Sequence, residues 1–157
     1  MTTYTARPIA PSVLKELRTA DDAGRPAAPF TDDEGGAPLR CCLRRSEAGE
    51  RIALVSYAPL RRWAAETGAR PGAYDEQGPV FVHADDCPGP DGGAGYPFTG
   101  AHRTVRRYSA DGHILGGALV AAPDDDAFKN AFDDPTVALL HVRAVEYGCF
   151  LYEVRRA

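Results

Sequence analysis

Two short stretches of the sequence combine imidazole, thiol and cationic side chains near the ends of predicted strands. The first has His141, Arg143 and Cys149 within a strand-turn-strand pattern. The second has His83 at the end of a predicted strand and Cys87 in the loop that follows. Thiolates are nucleophiles and metal ligands, and histidine is a base or a ligand, so both stretches have the composition of a site.

The spacing of His83 and Cys87 is compatible with two kinds of chemistry. The pair could chelate one metal ion from a strand end and its loop, or it could pair a thiol with a base. Asp85 and Asp86 would then orient the histidine, as carboxylates commonly do for ligating imidazoles. The alternative is structural: the two aspartates cap a turn, and the ring of His83 is half exposed.

Arg40, Cys42 and Arg44 lie on one face if residues 39–44 form a strand, as we predict. Two guanidinium groups would favour the thiolate of Cys42 and make it a nucleophile or a metal ligand. Cys41 would then point to the opposite face, so only one of the two neighbouring cysteines could join a given site. No C-x-x-C zinc pattern occurs in the sequence. The alternative is that Cys42 is a small packing residue on a solvated face.

A predicted hairpin around Asp111-Gly112 places Arg106 opposite Gly117, with Tyr108 on the same side of the strand as Arg106. A large cation beside a residue that has no side chain leaves space, which suits an anionic ligand held by the guanidinium group. The alternative is a β-bulge beside a solvated arginine.

His141 and Arg143 share one face of their strand, and Cys149 joins them only if the turn has three residues. His141 would act as a base in such a site. The alternative is that it is a hydrogen-bonded core residue.

Hairpins outnumber helices in the rest of the chain. We predict an α+β fold with a mostly antiparallel, curved β-sheet built from hairpins, together with two short helices. The predicted elements are a helix over 11–20 with Ser12 as N-cap, strands over 39–44, 51–57 and 79–84, a hairpin over 101–121, a helix over 124–132 and a closing hairpin over 137–155. Residues 21–38 and 87–97 are predicted to be long loops.

Size and composition favour a single domain over residues 1–157, because a chain of 157 residues can bury about 70% of the surface that it exposes when unfolded. The net charge of −4 and the absence of a basic stripe argue against nucleic acid as a partner. No signal pattern and no apolar run of about 18 residues occurs, so we expect a cytoplasmic protein that does not span a membrane. Its four cysteines should then be free thiols.

Several motifs in order resemble an uncharacterised bacterial family, domain of unknown function 1203. They are Pro38-Leu-Arg40-Cys-Cys42-Leu43, Glu50 before a strand that ends Ser56-Tyr57-Ala-Pro59, Gly78-Pro79-Val-Phe81-Val-His83 with Cys87 after it, His141-Val-Arg143, and Tyr147-Gly148-Cys149-Phe150. The resemblance extends from about Pro38 to Arg155. It implies one domain and no particular activity.

Two functions follow as hypotheses. The first is a small-molecule-binding domain, and potentially an enzyme, in which Cys42, His83 and His141 do the chemistry and arginines hold an anionic ligand. Its pocket would lie over one sheet face, lined by Arg40, Cys42, His83, Arg106, Tyr108, His141 and Arg143. The second is a non-catalytic metal-binding or protein-interaction module, in which cysteine and histidine are either ligands, His83 and Cys87 among them, or inert core residues. The sequence has no phosphate-binding glycine loop, no G-x-S-x-G and no H-E-x-x-H, which argues against common nucleotide-dependent and hydrolase chemistries and leaves the cofactor unknown.

Overall fold

The computed structural model describes residues 2–156 and contains three α-helices and two antiparallel sheets, which confirms the α+β class. The helices are α1 (Pro11–Thr19), α2 (Pro59–Thr67) and α3 (Asp125–Phe132), and a 3-10 turn spans Gly72–Tyr74. The strands are β1 (Phe30–Thr31), β2 (Arg51–Tyr57), β3 (Gly78–His83), β4 (Arg103–Ser109), β5 (Ile114–Val120), β6 (Val137–Ala144) and β7 (Phe150–Arg155). None of the helices in the described part of the chain has the length and apolar character needed to cross a membrane.

The strands belong to two compact units, each with its own sheet. The three-stranded unit consists of residues 8–57 and 77–93, with strand order β1-β2-β3. The four-stranded unit consists of residues 2–7, 58–76 and 94–156, with strand order β5-β4-β6-β7. The prediction of a single domain stays a prediction.

Helix α1 packs its apolar stripe into the three-stranded unit, where Leu14 and Leu17 are buried. The prediction that Ser12 caps this helix is wrong. The helix begins at Pro11, as predicted, but its N-cap is Ala10, two residues before Ser12. Proline is favoured at the first helical position because its missing N–H is not needed there, and this places Ser12 inside the first turn.

Residues 39–44 form a tight turn, and the predicted strand over them is wrong. The Leu39 N–H donates to the Arg44 carbonyl (2.9 Å), the Leu43 N–H donates to the Leu39 carbonyl (2.9 Å), and Leu43 has a φ of 59°. The turn is attached to β3, because the Arg40 N–H donates to the Phe81 carbonyl at 2.9 Å. Side chains in a turn do not alternate between two faces, so the strand-based argument that separated Cys41 from Cys42 no longer applies.

The hairpin of β4 and β5 is formed as predicted around Asp111-Gly112. Arg106 pairs with Gly117, which confirms the predicted register. The register shifts by one residue between Arg107 and Tyr108. Because β4 ends at Ser109 and β5 begins at Ile114, the link between the strands is four residues (110–113) instead of two. Gly112 has a φ of 85°, a conformation that glycine adopts without the strain of a side chain.

Helix α2 was not predicted, although its boundaries follow common rules. It begins at Pro59 and ends at Thr67, and the next residue, Gly68, is left-handed with a φ of 78°. Leu60 and Trp63, one helical turn apart, are buried with Tyr108 and Leu139 in the core of the four-stranded unit. The proline, the glycine and the apolar spacing were the available signals.

Helix α3 confirms its predicted acidic start, and its cap supports a stability prediction. The side chain of Asp124 accepts a hydrogen bond from the Ala127 N–H at 2.8 Å. Replacing Asp124 by alanine leaves that N–H without its partner, so we expect the free energy of unfolding to fall by about 1 kcal/mol. Chemical denaturation measures the change. Asp126→Ala, an exposed change in the same turn, is the control, and equal losses for both variants would contradict a capping role.

Candidate functional site

Three thiols and one imidazole converge in the three-stranded unit. The ligand atoms of Cys41, Cys42, His83 and Cys87 all lie within 4.8 Å of one another. The two neighbouring cysteines are buried, whereas His83 and Cys87 are partly exposed. The sequence predicted Cys42, His83 and Cys87 as candidates but placed Cys41 on the opposite face, and that placement is wrong.

The tight turn and the end of β3 position the cluster. The His83 N–H donates to the Cys41 sulfur at 3.2 Å, and the Nδ1 atom of the same residue lies 3.3 Å from that sulfur. Nδ1 lies 3.8 Å from the Cys42 sulfur, and the two sulfurs are 3.9 Å apart. The turn therefore directs both thiols to the same side of one imidazole ring.

The other nitrogen of His83 contacts a carboxylate that the sequence did not single out as a site residue. His83 Nε2 lies 2.8 Å from Glu50 Oε2, so Glu50 takes the orienting position that was predicted for Asp85 and Asp86. The position of Glu50 follows from strand pairing. Strands β2 and β3 are antiparallel and Ile52 pairs with His83, so the residues just before β2 lie beside the end of β3.

Arg44 fixes this carboxylate through a two-pronged ion pair. Its Nη1 and Nη2 atoms each donate to one Glu50 oxygen at 2.9 Å, and the Glu47 N–H donates to Glu50 Oε1 at 2.7 Å. These hydrogen bonds hold the pKa of Glu50 well below its usual range, and the bonds from Arg44 have the largest effect. The same ion pair with Glu50 raises the pKa of Arg44. Glu50 is therefore a fixed anion beside the imidazole.

The two buried thiols have opposite tendencies to ionise. The pKa of Cys42 is lowered to about 6, chiefly because the Cys41 thiol donates a hydrogen bond to its sulfur. A hydrogen bond from the main-chain N–H of Arg44 and the charges of His83 and Arg44 also favour the thiolate. The pKa of Cys41 is raised, because it keeps its proton to donate to Cys42 and because it is buried. The thiolate of the pair therefore resides on Cys42.

This asymmetry predicts a pH profile for alkylation of the metal-free protein. The thiolate is the reactive form, so the rate of Cys42 alkylation should rise with pH through about 6 and level off at higher pH. A peptide with a single cysteine of ordinary pKa, about 8.5, is the control. Mass mapping after brief labelling measures the rate at each site. A Cys42 profile that coincides with that of the peptide would contradict the assignment of the thiolate to Cys42.

The cluster borders two open clefts of the three-stranded unit. One, of about 310 Å³, is lined by Arg44, Glu50, Arg51, His83, Asp85, Asp86, Cys87 and Pro88. The other, of about 460 Å³, is lined by Pro11, Ser12, Leu14, Lys15, Arg18, Asp86 and Cys87. Cys87 lines both clefts, whereas Cys41 and Cys42 line neither of them.

The remaining predicted site residues do not all share one sheet face with the cluster. Arg40 is buried in the tight turn, where its Nη1 donates to the Pro38 carbonyl. Arg106, Tyr108, His141 and Arg143 lie on the four-stranded sheet, whereas His83 lies on the three-stranded one. The prediction of one pocket over one sheet face is corrected to two groups in two units.

The group on the four-stranded sheet surrounds a carboxylate of the chain itself. Arg106 Nη1 and Arg143 Nη2 each lie 2.8 Å from Glu76 Oε1, and Arg106 also donates to the Tyr108 hydroxyl at 3.2 Å. His141 is fully buried between the rings of Tyr108 and Phe150. Burial, followed by the charges of the two arginines, lowers the pKa of His141, so this imidazole is neutral.

Cys149 does not join His141 and Arg143. It lies in the turn before β7, where its main-chain carbonyl accepts from the Ala144 N–H at 2.9 Å. Its sulfur is half-buried and lies 3.8 Å from the Tyr147 carbonyl. The link between the last two strands is five residues (145–149), two more than the three-residue turn that would have brought Cys149 to the same face.

Comparison with known proteins identifies a family for most of the chain. Neither the curated proteins nor the solved structures include a match. The family described as protein of unknown function (DUF1203) matches residues 36–156, which contain all four residues of the thiol cluster and both arginines that hold Glu76. The chain therefore belongs to the DUF1203 family, as the order of its motifs indicated.

Proposed function

We propose that this protein binds one zinc ion through Cys41, Cys42, His83 and Cys87, and that it is a metal-binding module. The observation that carries the proposal is the mutual distance of at most 4.8 Å among the four ligand atoms. In a tetrahedral zinc site, Zn–S bonds of about 2.3 Å put two sulfurs about 3.8 Å apart. The separation of 3.9 Å between the Cys41 and Cys42 sulfurs fits that requirement.

The surroundings of the histidine support the same function. Ligating histidines commonly donate their second N–H to a carboxylate, which fixes the tautomer and the orientation of the ring. With Nδ1 directed at the sulfurs, Nε2 of His83 has Glu50 at 2.8 Å for that purpose. Arg44 in turn anchors Glu50 by two hydrogen bonds, so the outer partners are ordered before a metal binds.

The donor set favours zinc over the hard cations. Magnesium and calcium prefer oxygen ligands, whereas thiolate and imidazole select zinc among the redox-inactive metals. Four protein ligands complete a tetrahedron and leave no open position for a substrate, which is typical of structural zinc sites. The ion would fasten the loop that carries Cys87 to the tight turn and to the end of β3.

A reducing compartment would keep these thiols available. All four cysteines of the chain are free, and cytosolic proteins rarely form disulfides. We therefore propose a cytoplasmic location, where thiolates remain competent to bind metal.

A second candidate function is thiol catalysis by the metal-free protein. Two observations favour it: Nδ1 of His83 faces the sulfurs while Nε2 faces Glu50, and the pKa of Cys42 is lowered to about 6. A base oriented by a third group beside a thiolate is the arrangement of cysteine nucleophiles. Such a site needs one sulfur, however, and the convergence of three is better explained by a metal.

Elemental analysis distinguishes the two functions. Protein purified without a histidine tag, and then equilibrated with zinc and desalted, should retain one zinc ion per chain. Cys87→Ser should lose the ion, whereas Cys149→Ser, which changes a half-buried thiol outside the cluster, should retain it. Wild-type protein that retains no zinc, and in which Cys42 is alkylated faster than the other three thiols, would reject the metal site in favour of catalysis.

A further inference from the structure

The Glu76 carboxylate in the four-stranded unit is held in an arrangement suited to an external ligand. Both Arg106 and Arg143 donate to one of its oxygens, Oε1. Two cations thus face one anion, and the excess positive charge remains at a partly buried position. Side-chain exposure falls from 49% for Glu76 to 26% for Arg106 and 10% for Arg143, so the anion is the component nearest to solvent.

The two arginines are held in place by contacts that do not involve Glu76. Arg106 donates to the Tyr108 hydroxyl, and Arg143 Nη1 donates to the Gly148 carbonyl at 2.9 Å. On the adjacent strand, Gly117 pairs with Arg106 and presents no side chain beside it. Glu76, by contrast, follows the 3-10 turn and belongs to no helix or strand. The cations are therefore pre-organised, and the carboxylate is the replaceable partner.

Buried polar atoms beside the arginines have no partner within the described residues. They are Nδ1 and Nε2 of His141 and Nε of Arg143. His141 pairs directly with Arg106 across the two strands, so the two side chains share one face of the sheet. Buried polar groups in folded proteins are nearly always hydrogen-bonded, so these three nitrogens are available to a partner from outside the chain.

We propose that this face of the four-stranded sheet is a binding site for a small carboxylate, which displaces Glu76 from Arg106 and Arg143. The bound carboxylate takes over the two guanidinium hydrogen bonds, because these groups already bind a carboxylate in the same geometry. His141, which pairs with Arg106 across the strands, lies next to the bound carboxylate, so its ring reports binding. Glu76 occupies the site in the ligand-free protein and acts as an intramolecular competitor.

Competition by Glu76 determines how much the affinity for a carboxylate should rise when Glu76 loses its charge. When the binding-competent state is only a fraction of the population, the apparent affinity falls by that fraction. If Glu76 occupies the arginines more than about nine-tenths of the time, removing its charge raises the affinity at least about tenfold. Glu76→Gln keeps the size of the side chain and removes the charge.

Acetate is the probe, and calorimetry or the ring signals of His141 in NMR spectra report binding. Glu76→Gln should bind acetate at least about tenfold more tightly than wild-type protein and than the control Glu66→Gln. The control removes a carboxylate that pairs with Arg155 instead, at 2.9 Å. Equal acetate affinities in Glu76→Gln and Glu66→Gln, or tighter binding of inorganic phosphate than of acetate, would overturn the proposal.

If Glu76→Gln does not fold, acetate binding is tested on the wild-type protein and on Arg106→Lys. Acetate at high concentration should shift the His141 ring signals of the wild-type protein, and Arg106→Lys should abolish that shift, because lysine cannot reproduce the planar guanidinium contact. Signals that do not move in the wild-type protein, or that move equally in Arg106→Lys, would overturn the proposal.

Discussion

Zinc at about 1,000 times its dissociation constant is expected to raise the free energy of unfolding of the metal-free protein by about 4 kcal/mol. The physical reason is that the ligands come from three separate places: the tight turn, the end of β3 and the loop after it. They converge only when the three-stranded unit is folded, so binding free energy becomes folding free energy. For a chain of this length, such a gain should raise the midpoint of thermal unfolding by about 8–16 °C.

Cys87→Ser provides the matched test of that stabilisation. Cys87 is only partly buried, so the substitution should leave the stability of the metal-free protein nearly unchanged while removing most of the zinc-dependent gain. Cys149→Ser should keep the full gain. A midpoint that does not respond to zinc in the wild-type protein, or that responds equally in Cys87→Ser, would contradict a site that includes Cys87.

Replacing Glu50 by glutamine is expected to weaken zinc binding by about 10–100-fold. The amide keeps the shape of the side chain but has no negative charge. The Glu50 carboxylate that it replaces accepts hydrogen bonds from Arg44 and from His83 Nε2. The imidazole then becomes a weaker ligand and is less firmly oriented. Competition with a chelator of known affinity measures the change.

Glu47→Gln is the control for this loss of affinity. Glu47 lies in the same loop, and it reaches Glu50 through its main-chain N–H, so its side-chain charge is not needed for that contact. Its zinc affinity should remain close to that of the wild-type protein. If Glu47→Gln and Glu50→Gln weaken zinc binding by the same factor, the loss comes from the lower negative charge of the loop, and Glu50 does not orient His83.

Local rules were sufficient for some parts of the fold. Asp111-Gly112 predicted both the hairpin and the pairing of Arg106 with Gly117, because a short turn determines the register of the strands that it joins. The acidic start of α3 and the proline after it likewise marked that helix. In each case the information lay within about ten residues of the element.

The thiol cluster depends on contacts between distant parts of the chain, which local patterns do not encode. Residues 39–44 have the composition of a strand, yet Leu43 adopts a left-handed conformation, and the turn is held at Arg40 by the carbonyl of Phe81, 41 residues further along the chain. That one departure brings Cys41 and Cys42 to the same side of His83. The role of Glu50 likewise follows from the pairing of β2 with β3.

The structure brings some of the predicted site residues together and places others in a different unit. Cys42 and His83 contact each other, and Arg106 and Arg143 share one carboxylate. Sheet membership separates the pairs, because β3 pairs with β2 whereas β4 pairs with β5 and β6. Strand order in a sheet is decided by packing across the whole chain, and a period-2 pattern within one strand contains no information about it.

X-ray absorption spectroscopy at the zinc edge tests the metal site most directly, because it reports the ligand atoms themselves. The proposed site predicts three sulfur ligands at about 2.3 Å and one nitrogen at about 2.0–2.1 Å. Cys87→Ser, which should lose the ion, should show no such sulfur shell, and Cys149→Ser should leave the shell unchanged. A wild-type shell made only of nitrogen and oxygen ligands would contradict the proposal that the three thiols and His83 hold the ion.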